Sequence, residues 1–275
     1  MDMSLDPELT VSVAKLTRDQ KKAAATLGRE EARYLVDAYY ILQADRIRSD
    51  AQMRELSKAG EPHEILEWLG TQSDTLEVQI KGALDVYSMA QPVGQWMRSI
   101  RGVGPVIAAG MLAHIDIKRA QTAGAIWKFA GLVNDKWEKG QKRPWNASLK
   151  VLCWKLGESF TKQSGYDDCF YGKLYAARKL EEIAKNEAGE FAEQAKASLE
   201  EKNFRKGTET RKAYEAGELP DGRILLRAQR YAVKLFLAHL HEVWYWEHFK
   251  HAPPNPYPMA ILGHTHRIDP PNMPI

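Results

Sequence analysis

Apolar and small residues recur at alternating steps of three and four at Ala32, Leu35, Tyr39, Leu42, Met53 and Leu56, with Arg46 and Ser49 breaking the seam in the middle. This spacing predicts a long amphipathic helix with coiled-coil-like periodicity. Thr17-Arg18-Asp19-Gln20 reads as the capping box that starts it, because the Thr17 hydroxyl can accept from the amide three residues on while Gln20 reaches back. From Thr17 to Ser57 there is no proline, and Gly28 is the only glycine. Gly60-Glu61-Pro62 ends the helix, and Pro62 suits the first turn of the next. A second helical stretch is expected from Ser73 to Met89, closed by Gln91-Pro92. Two uses of the seam stay open: packing on the chain's own second helix, or a homodimer through the N-terminal helix.

Beyond Pro92 the character changes, with glycines at 94, 102, 104, 110, 124 and 131. The pattern predicts short helices at about 93–99, 105–115 and 122–130, and longer ones at about 146–163, 167–186 and 221–249. The stretch 178–218 is dense in Lys, Glu, Arg and Ala and poor in large apolar residues, which reads as a solvated helix pair or a partly mobile insertion. Pro253-Pro254-Asn255-Pro256-Tyr257-Pro258 forces an extended tail. With no strand pattern and no fixed-period repeat, the expected fold is all-α. Its parts are a long-helix region at 1–91, a second helical domain at 92–251 carrying the charged insertion, and a Pro/His-rich tail at 252–275.

A hydrophobic content of 44% and a charged content of 27% are those of a globular chain, and the formal net charge of +3 permits a polyanionic partner without requiring one. The two cysteines, Cys153 and Cys169, have neither metal-ligand spacing nor a disulfide framework, so a reducing compartment is expected. No signal peptide is visible at the N-terminus and no run of about eighteen apolar residues occurs, so a cytoplasmic location and no membrane partner are expected.

The informative segment is Trp96-Met97-Arg98-Ser99-Ile100-Arg101-Gly102-Val103-Gly104-Pro105-Val106, continuing to Leu112. It reads as a short apolar helix, a Gly-x-Gly turn and a second helix opening on proline, the pattern of a helix-hairpin-helix. Gly102 and Gly104 allow backbone angles that a side chain forbids and let a phosphate approach the amides. Pro105 fits the first turn, where no donor is needed, and the positive end of the following helix suits an anion. Gly102, Val103, Gly104 and the amide of Val106 are therefore candidate phosphate contacts, with Arg98 and Arg101 adding charge. The alternative is a tight helix–helix turn without a ligand. A dinucleotide-binding loop is rejected, because Trp96–Ile100 is helical in pattern where that motif needs a strand.

Downstream, Lys139, Lys142 and Arg143 lie in a loop marked by Gly140 and Pro144, interleaved with Trp137 and Trp145. Such charges would add salt-sensitive affinity for a nucleic-acid backbone, and Trp145 could stack on an unpaired base. A solvated face is the competing reading. Trp154, on a helix, is expected in the core.

Six of the eight histidines follow residue 238. His241 and His248 lie seven residues apart, roughly 10 Å on one helix, too far to share an ion. His248, His251, His264 and His266 are the candidate ligands of a zinc ion, which would make the protein a metal-dependent nuclease or recombinase. Structural histidines are the preferred reading, and no cofactor is expected.

The run Ile100-Arg101-Gly102-Val103-Gly104-Pro105 through Ile115, then Phe129-Ala130-Gly131-Leu132, a basic loop, and Asn146 opening a helix, resembles the C-terminal transposase domain of the IS-one-ten family. These are the bridge-RNA-guided insertion-sequence recombinases. The resemblance covers about residues 93–180, and the helix at 17–59 is similar to the coiled-coil segment preceding that domain. It implies DNA as partner, structured RNA as a second, and work on mobile-element ends. The family also implies a RuvC-like domain with metal-binding carboxylates and a catalytic serine in the loop after Ala-Gly-Leu. Here only a short polar segment precedes the first helix, and Val133–Gly140 contains no serine; Ser148 lies further on, in a helix. Half of a cooperative site does not give half a rate, so DNA binding without catalysis is expected.

Overall fold

The computed structural model describes residues 13–60, 64–133, 137–254 and 267–273. Among them there are eleven α-helices and no strand. The fold is all-α, as the periodicity predicts. Contacts divide the chain into two compact units: residues 1–98 with 104–116, and residues 99–103 with 117–275.

The first unit contains α1 (Arg18–Ala23), α2 (Arg29–Ala59), α3 (Glu64–Met89), α4 (Pro92–Arg98) and α5 (Pro105–His114). The capping box forms: Gln20 N donates to Thr17 Oγ1 at 3.2 Å, and Thr17 N to Gln20 Oε1 at 2.9 Å. The expected single helix from Thr17 is broken, however. A 3-10 turn at Ala24–Thr26 is followed by extended backbone at Leu27, and a fresh N-terminus forms where Gly28 N donates to Glu31 Oε2 at 2.7 Å. The seam of α2 finds its partner in α3. Ser49 faces Gly70, Asp45 accepts from Ser73 Oγ at 2.7 Å and Gln43 meets Glu77, so the two helices run antiparallel. Arg46, which interrupts the apolar pattern, ion-pairs with the nearly buried Glu77 at 2.7 Å. Burial pushes the Glu77 carboxyl upward, but hydrogen bonds from Arg46, Tyr39 and Gln43 outweigh it and hold it below the usual range. Helix α5 is apolar on every side and correspondingly enclosed: Ala108, Ala109, Met111 and Ala113 have no exposed surface.

The second unit is built on α11 (Asp221–Phe249), against which α6 (Ala123–Phe129), α7 (Ala147–Lys162) and α8 (Phe170–Glu187) pack. Its core is aromatic, with Phe160 stacked on Tyr171 at 5.0 Å and both set edge-on to Phe236 at 5.9 and 5.4 Å. The charged stretch 178–218 is ordered into the end of α8, α9 (Ala192–Glu201) and α10 (Glu209–Glu215) around a small cluster of Phe191, Ala195, Tyr214, Leu219 and Ile224. Few apolar residues suffice because polar groups are matched: Asn186 donates to Leu219 O at 3.0 Å and accepts from Leu219 N at 2.8 Å. Trp154 departs from expectation. It lies on the outer face of α7, 51% exposed, while Leu152, Cys153, Leu156 and Phe160 face inward. Of the aromatic run in α11, Tyr245 is buried, Trp244 half-buried and Trp246 exposed. Cys153 and Cys169 are buried and unbridged, and burial pushes the Cys153 thiol up to about 12.

Glu182 is the polar keystone of this unit. It is almost fully buried and ion-pairs with both Arg178 and Arg227. Removing one partner of a buried pair leaves uncompensated charge. Glu182→Ala is therefore expected to lower the unfolding free energy by about 3 kcal/mol in urea titration, and Glu182→Gln by less. A loss below about 1 kcal/mol would mean that water already compensates the two guanidiniums.

Candidate nucleic-acid interface

The Gly-x-Gly segment lies between α4 and α5, and its two glycines serve different purposes. Gly102 has φ 95°, and a β-carbon there would come within 2.9 Å of Phe160 Cδ1. Its carbonyl accepts from Ser159 Oγ at 2.7 Å. Gly102 is thus a packing glycine, seated on α7. Gly104 has φ −83°, and a β-carbon there would meet nothing within 4 Å. It is the N-cap of α5, and no side chain caps that end. Ile100, Val103 and Val106 are buried, and Val103 N donates to Ile100 O at 3.0 Å, so of the two valines proposed as contacts only Val106 keeps a main-chain amide of the first turn to offer.

The other end of α5 is well supplied. Arg29 donates to Ile115 O at 2.7 Å and Ala113 O at 3.2 Å, and Arg33 donates to Ala113 O at 3.0 Å. Cations on the last carbonyls complement the helix dipole, whereas the first-turn amides have no intrahelical acceptor. The open end of α5 is its positive end.

The predicted cations fall into two groups. Arg98 ion-pairs with Asp85 at 3.0 Å. Arg101 is held three ways, by Asp168 at 2.6 Å, by Gln163 at 3.2 Å and over the Tyr166 ring at 4.2 Å. The bond from Arg101 holds the Asp168 carboxyl below its ordinary range. These partners sit more than sixty residues downstream of Arg101, in the connection between α7 and α8, and no local pattern announces them. Lys139, Lys142 and Arg143, in contrast, are exposed and form no ion pair among the described residues. Their loop is closed at its base, where Asn146 N donates to Phe129 O at 2.8 Å and Asn146 caps α7 by accepting from Leu149 N at 2.9 Å. Trp145 is half-buried against Gly131, where a β-carbon would come within 2.8 Å of the indole. Trp137 meets it edge-on at 6.0 Å, Lys150 lies over the Trp145 ring at 4.3 Å and Arg143 over Trp137 at 5.4 Å. The structure therefore brings together an aromatic pair with cations around it, which is a surface suited to a base and its phosphate.

The histidines take structural positions where they are described. His239 Nδ1 meets the Tyr171 hydroxyl at 2.7 Å and Nε2 meets Ile268 O at 2.8 Å; the neutral ring with its proton on Nε2 satisfies both. His241 Nε2 meets Ala120 O at 2.9 Å. His248 packs on Phe249, and His251 bonds the carbonyl of Ala252. His264 and His266 lie outside the described residues, and among the described residues no group of three metal-capable side chains occurs. Through His239 the C-terminal segment is tied to α11, and Asn272 at its end donates to Ser99 O at 3.3 Å. A cavity of about 520 Å³ opens there, lined by Ser99, Arg101, Asp167, Lys173 and Asn272 among others.

In chain order the segment runs through a helix, a Gly-x-Gly turn, a second helix and a cationic aromatic loop leading into α7. Residues 94–149, which span these elements, match the model of the Transposase IS116/IS110/IS902 family, and the segment is related to mobile-element transposases. No curated protein and no solved structure shows a significant match to the chain. Among the described residues, no helix is long and apolar enough to cross a membrane.

The His239 tie makes a pH prediction. Burial, against the opposing bond to Ile268, lowers the His239 imidazole to about 4 from 6.5. The unfolded ring takes up its proton as pH falls through 6.5, whereas the folded ring resists until about 4. Its contribution is therefore complete above 6.5 and lost across that window, by roughly 3 kcal/mol at the acid end. His239→Gln is expected to be less stable at pH 7 but to lose less on acidification from 6.5 to 4, as read by denaturant unfolding. Parallel pH curves for the two proteins would exclude the assignment.

Proposed function

We propose that this protein is a nucleic-acid-binding relative of the mobile-element transposases, taking the DNA backbone on the first-turn amides at the N-terminus of α5, without catalysis of its own. The observation that carries this reading is the asymmetry of α5. Its C-terminal carbonyls are satisfied by two arginines, while its N-terminus opens on Gly104, with no capping side chain and nothing within 4 Å of where a β-carbon would stand. Such an end is a ready anion site, because amides and dipole both face the ligand. Lys139, Lys142 and Arg143 supply sequence-independent affinity, and the Trp137–Trp145 pair offers an unpaired base a stacking surface. The non-catalytic part rests on the sequence of the loop Val133–Gly140, which holds no serine where the resembling family places its nucleophile.

The two glycines give a clean test. Gly104→Asp introduces no strain, since φ −83° suits any residue and the space is open, and aspartate is a preferred N-cap. Stability should hold or rise, while the carboxylate occupies and repels the phosphate position. Affinity for duplex DNA should fall about tenfold or more at moderate salt, the size of one charge-assisted hydrogen bond. Gly102→Ala should do the reverse: it forces a positive φ and the Phe160 contact, and destabilises the fold by about 2 kcal/mol. Electrophoretic or anisotropy titration beside thermal unfolding reads both, with a structured RNA of equal length in parallel. Undiminished binding by a folded Gly104→Asp protein would remove the basis of the reading.

A further inference from the structure

We propose that the face of α11 carrying Arg223, Arg227, Arg230 and Lys234 is a second contact for a polynucleotide backbone, separate from the open end of α5. It rests on the reading that the ligand is a nucleic acid, but not on where the turn binds it. The four residues follow one another at steps of four, three and four, so they lie along a single stripe of the helix. At 1.5 Å per residue the stripe is about 16 Å long.

The charge on this face is balanced by the protein only at Arg227. Arg227 and Arg178 share Glu182, and Arg178 also reaches Glu181. Arg223 and Arg230 form no ion pair with any described residue, and Lys234 rests its ammonium over the Trp127 ring at 4.2 Å. Elsewhere the chain pairs its helical arginines with carboxylates one turn away, as Arg33 with Glu30, Arg46 with Asp50 and Arg48 with Asp45. On α11 the neighbours one turn away are cations instead, which weakens a helix slightly. Burial, and then repulsion from Arg223 and Arg227, holds the Arg230 guanidinium below its ordinary value, and Lys234 is lowered by burial and by Arg230. The stripe is also held in place: Trp127 Nε1 donates to Lys234 O at 2.8 Å, and Arg227 stacks over Phe191 at 4.5 Å. A row of cations in which Arg223, Arg230 and Lys234 have no carboxylate partner among the described residues, with Arg227 half-engaged by the Glu182 it shares with Arg178, is complementary to a row of phosphates. A small anion would reach only one or two of these groups, whereas a strand running along the helix meets all of them.

The test is a salt titration of duplex DNA binding by the full chain. Removing Z phosphate contacts reduces the slope of log K against log salt by roughly 0.9 for each. The triple variant Arg223→Gln/Arg230→Gln/Lys234→Gln should lose roughly 2 to 3 from the slope and about tenfold or more in affinity at moderate salt. Arg223→Gln and Arg230→Gln singly should each lose about 0.9, and Arg230→Lys should keep the slope. The single variants decide the matter should the triple variant unfold. Slopes equal to that of the unaltered protein would overturn the proposal, and a weakened Gly104→Asp protein in the same series would leave the α5 reading standing. Reduced slopes beside an unaffected Gly104→Asp protein would uphold the α11 stripe and overturn the turn. A folded protein that binds no nucleic acid at low salt would end both.

Discussion

Phe160 occupies the space that a β-carbon at residue 102 would need, and this one steric fact sets the shape of the glycine turn. The ring is itself immovable, fully buried between Tyr171 and Phe236. A side chain at 102 would have to adopt a disfavoured left-handed backbone and displace an aromatic core at the same time. The Ser159 hydroxyl, one residue before Phe160, fixes the Gly102 carbonyl, and the Cys169 thiol faces the carbonyl of Arg101 at 3.8 Å. The same core carries the constraint outward: Tyr171 bonds His239, and His239 holds the segment that ends beside Ser99. Turn, aromatic core and C-terminal segment are therefore one connected piece of packing.

Much of this was legible in the chain itself. The helices from α4 to α8, and α11, begin and end within a few residues of where capping residues, prolines and apolar spacing predict them. Thr17 with Gln20, Asn146 and Pro105 are local signals with local consequences. What escaped was non-local or two-sided. Leu27 gives no sign that the helix breaks, because the break depends on Gly28 and Glu31 making a better start than a continuation. For the stretch 178–218 composition leaves a helix pair and a mobile insertion open; the pair forms because a five-residue cluster, a matched asparagine and the doubly paired Glu182 at its head stand in for a larger core. Trp154 was read by residue type, but its phase on α7 decides, and that phase puts it outside with Val151 while Leu152 and Leu156 go in.

The candidate site was legible to a different degree. The motif locates the turn between α4 and α5 but reads both glycines alike, as permissive backbone and as room for a phosphate. Only geometry separates them: one is needed by Phe160 and the other is bare. Arg101 was likewise read as available charge, although a carboxylate, an amide and a phenol ring already hold it. Its partners lie on another element, so no spacing within the motif could have revealed them.

That distinction between engaged and unengaged charge decides whether a chain of net charge +3 would suit the polyanion proposed as its partner. Net charge is a poor guide, because a cation paired within the protein presents little field to a ligand and must lose its partner before gaining a phosphate. Arg98 and Arg101 belong to that class. Lys139, Lys142 and Arg143 do not, and neither do Arg223 and Arg230. At Arg230 burial and the repulsion of Arg223 and Arg227 are borne by the fold, so a phosphate placed there would relieve the folded state while forming its contact. On the proposed reading, affinity for a backbone would depend on where carboxylates are missing more than on how many basic residues the chain contains.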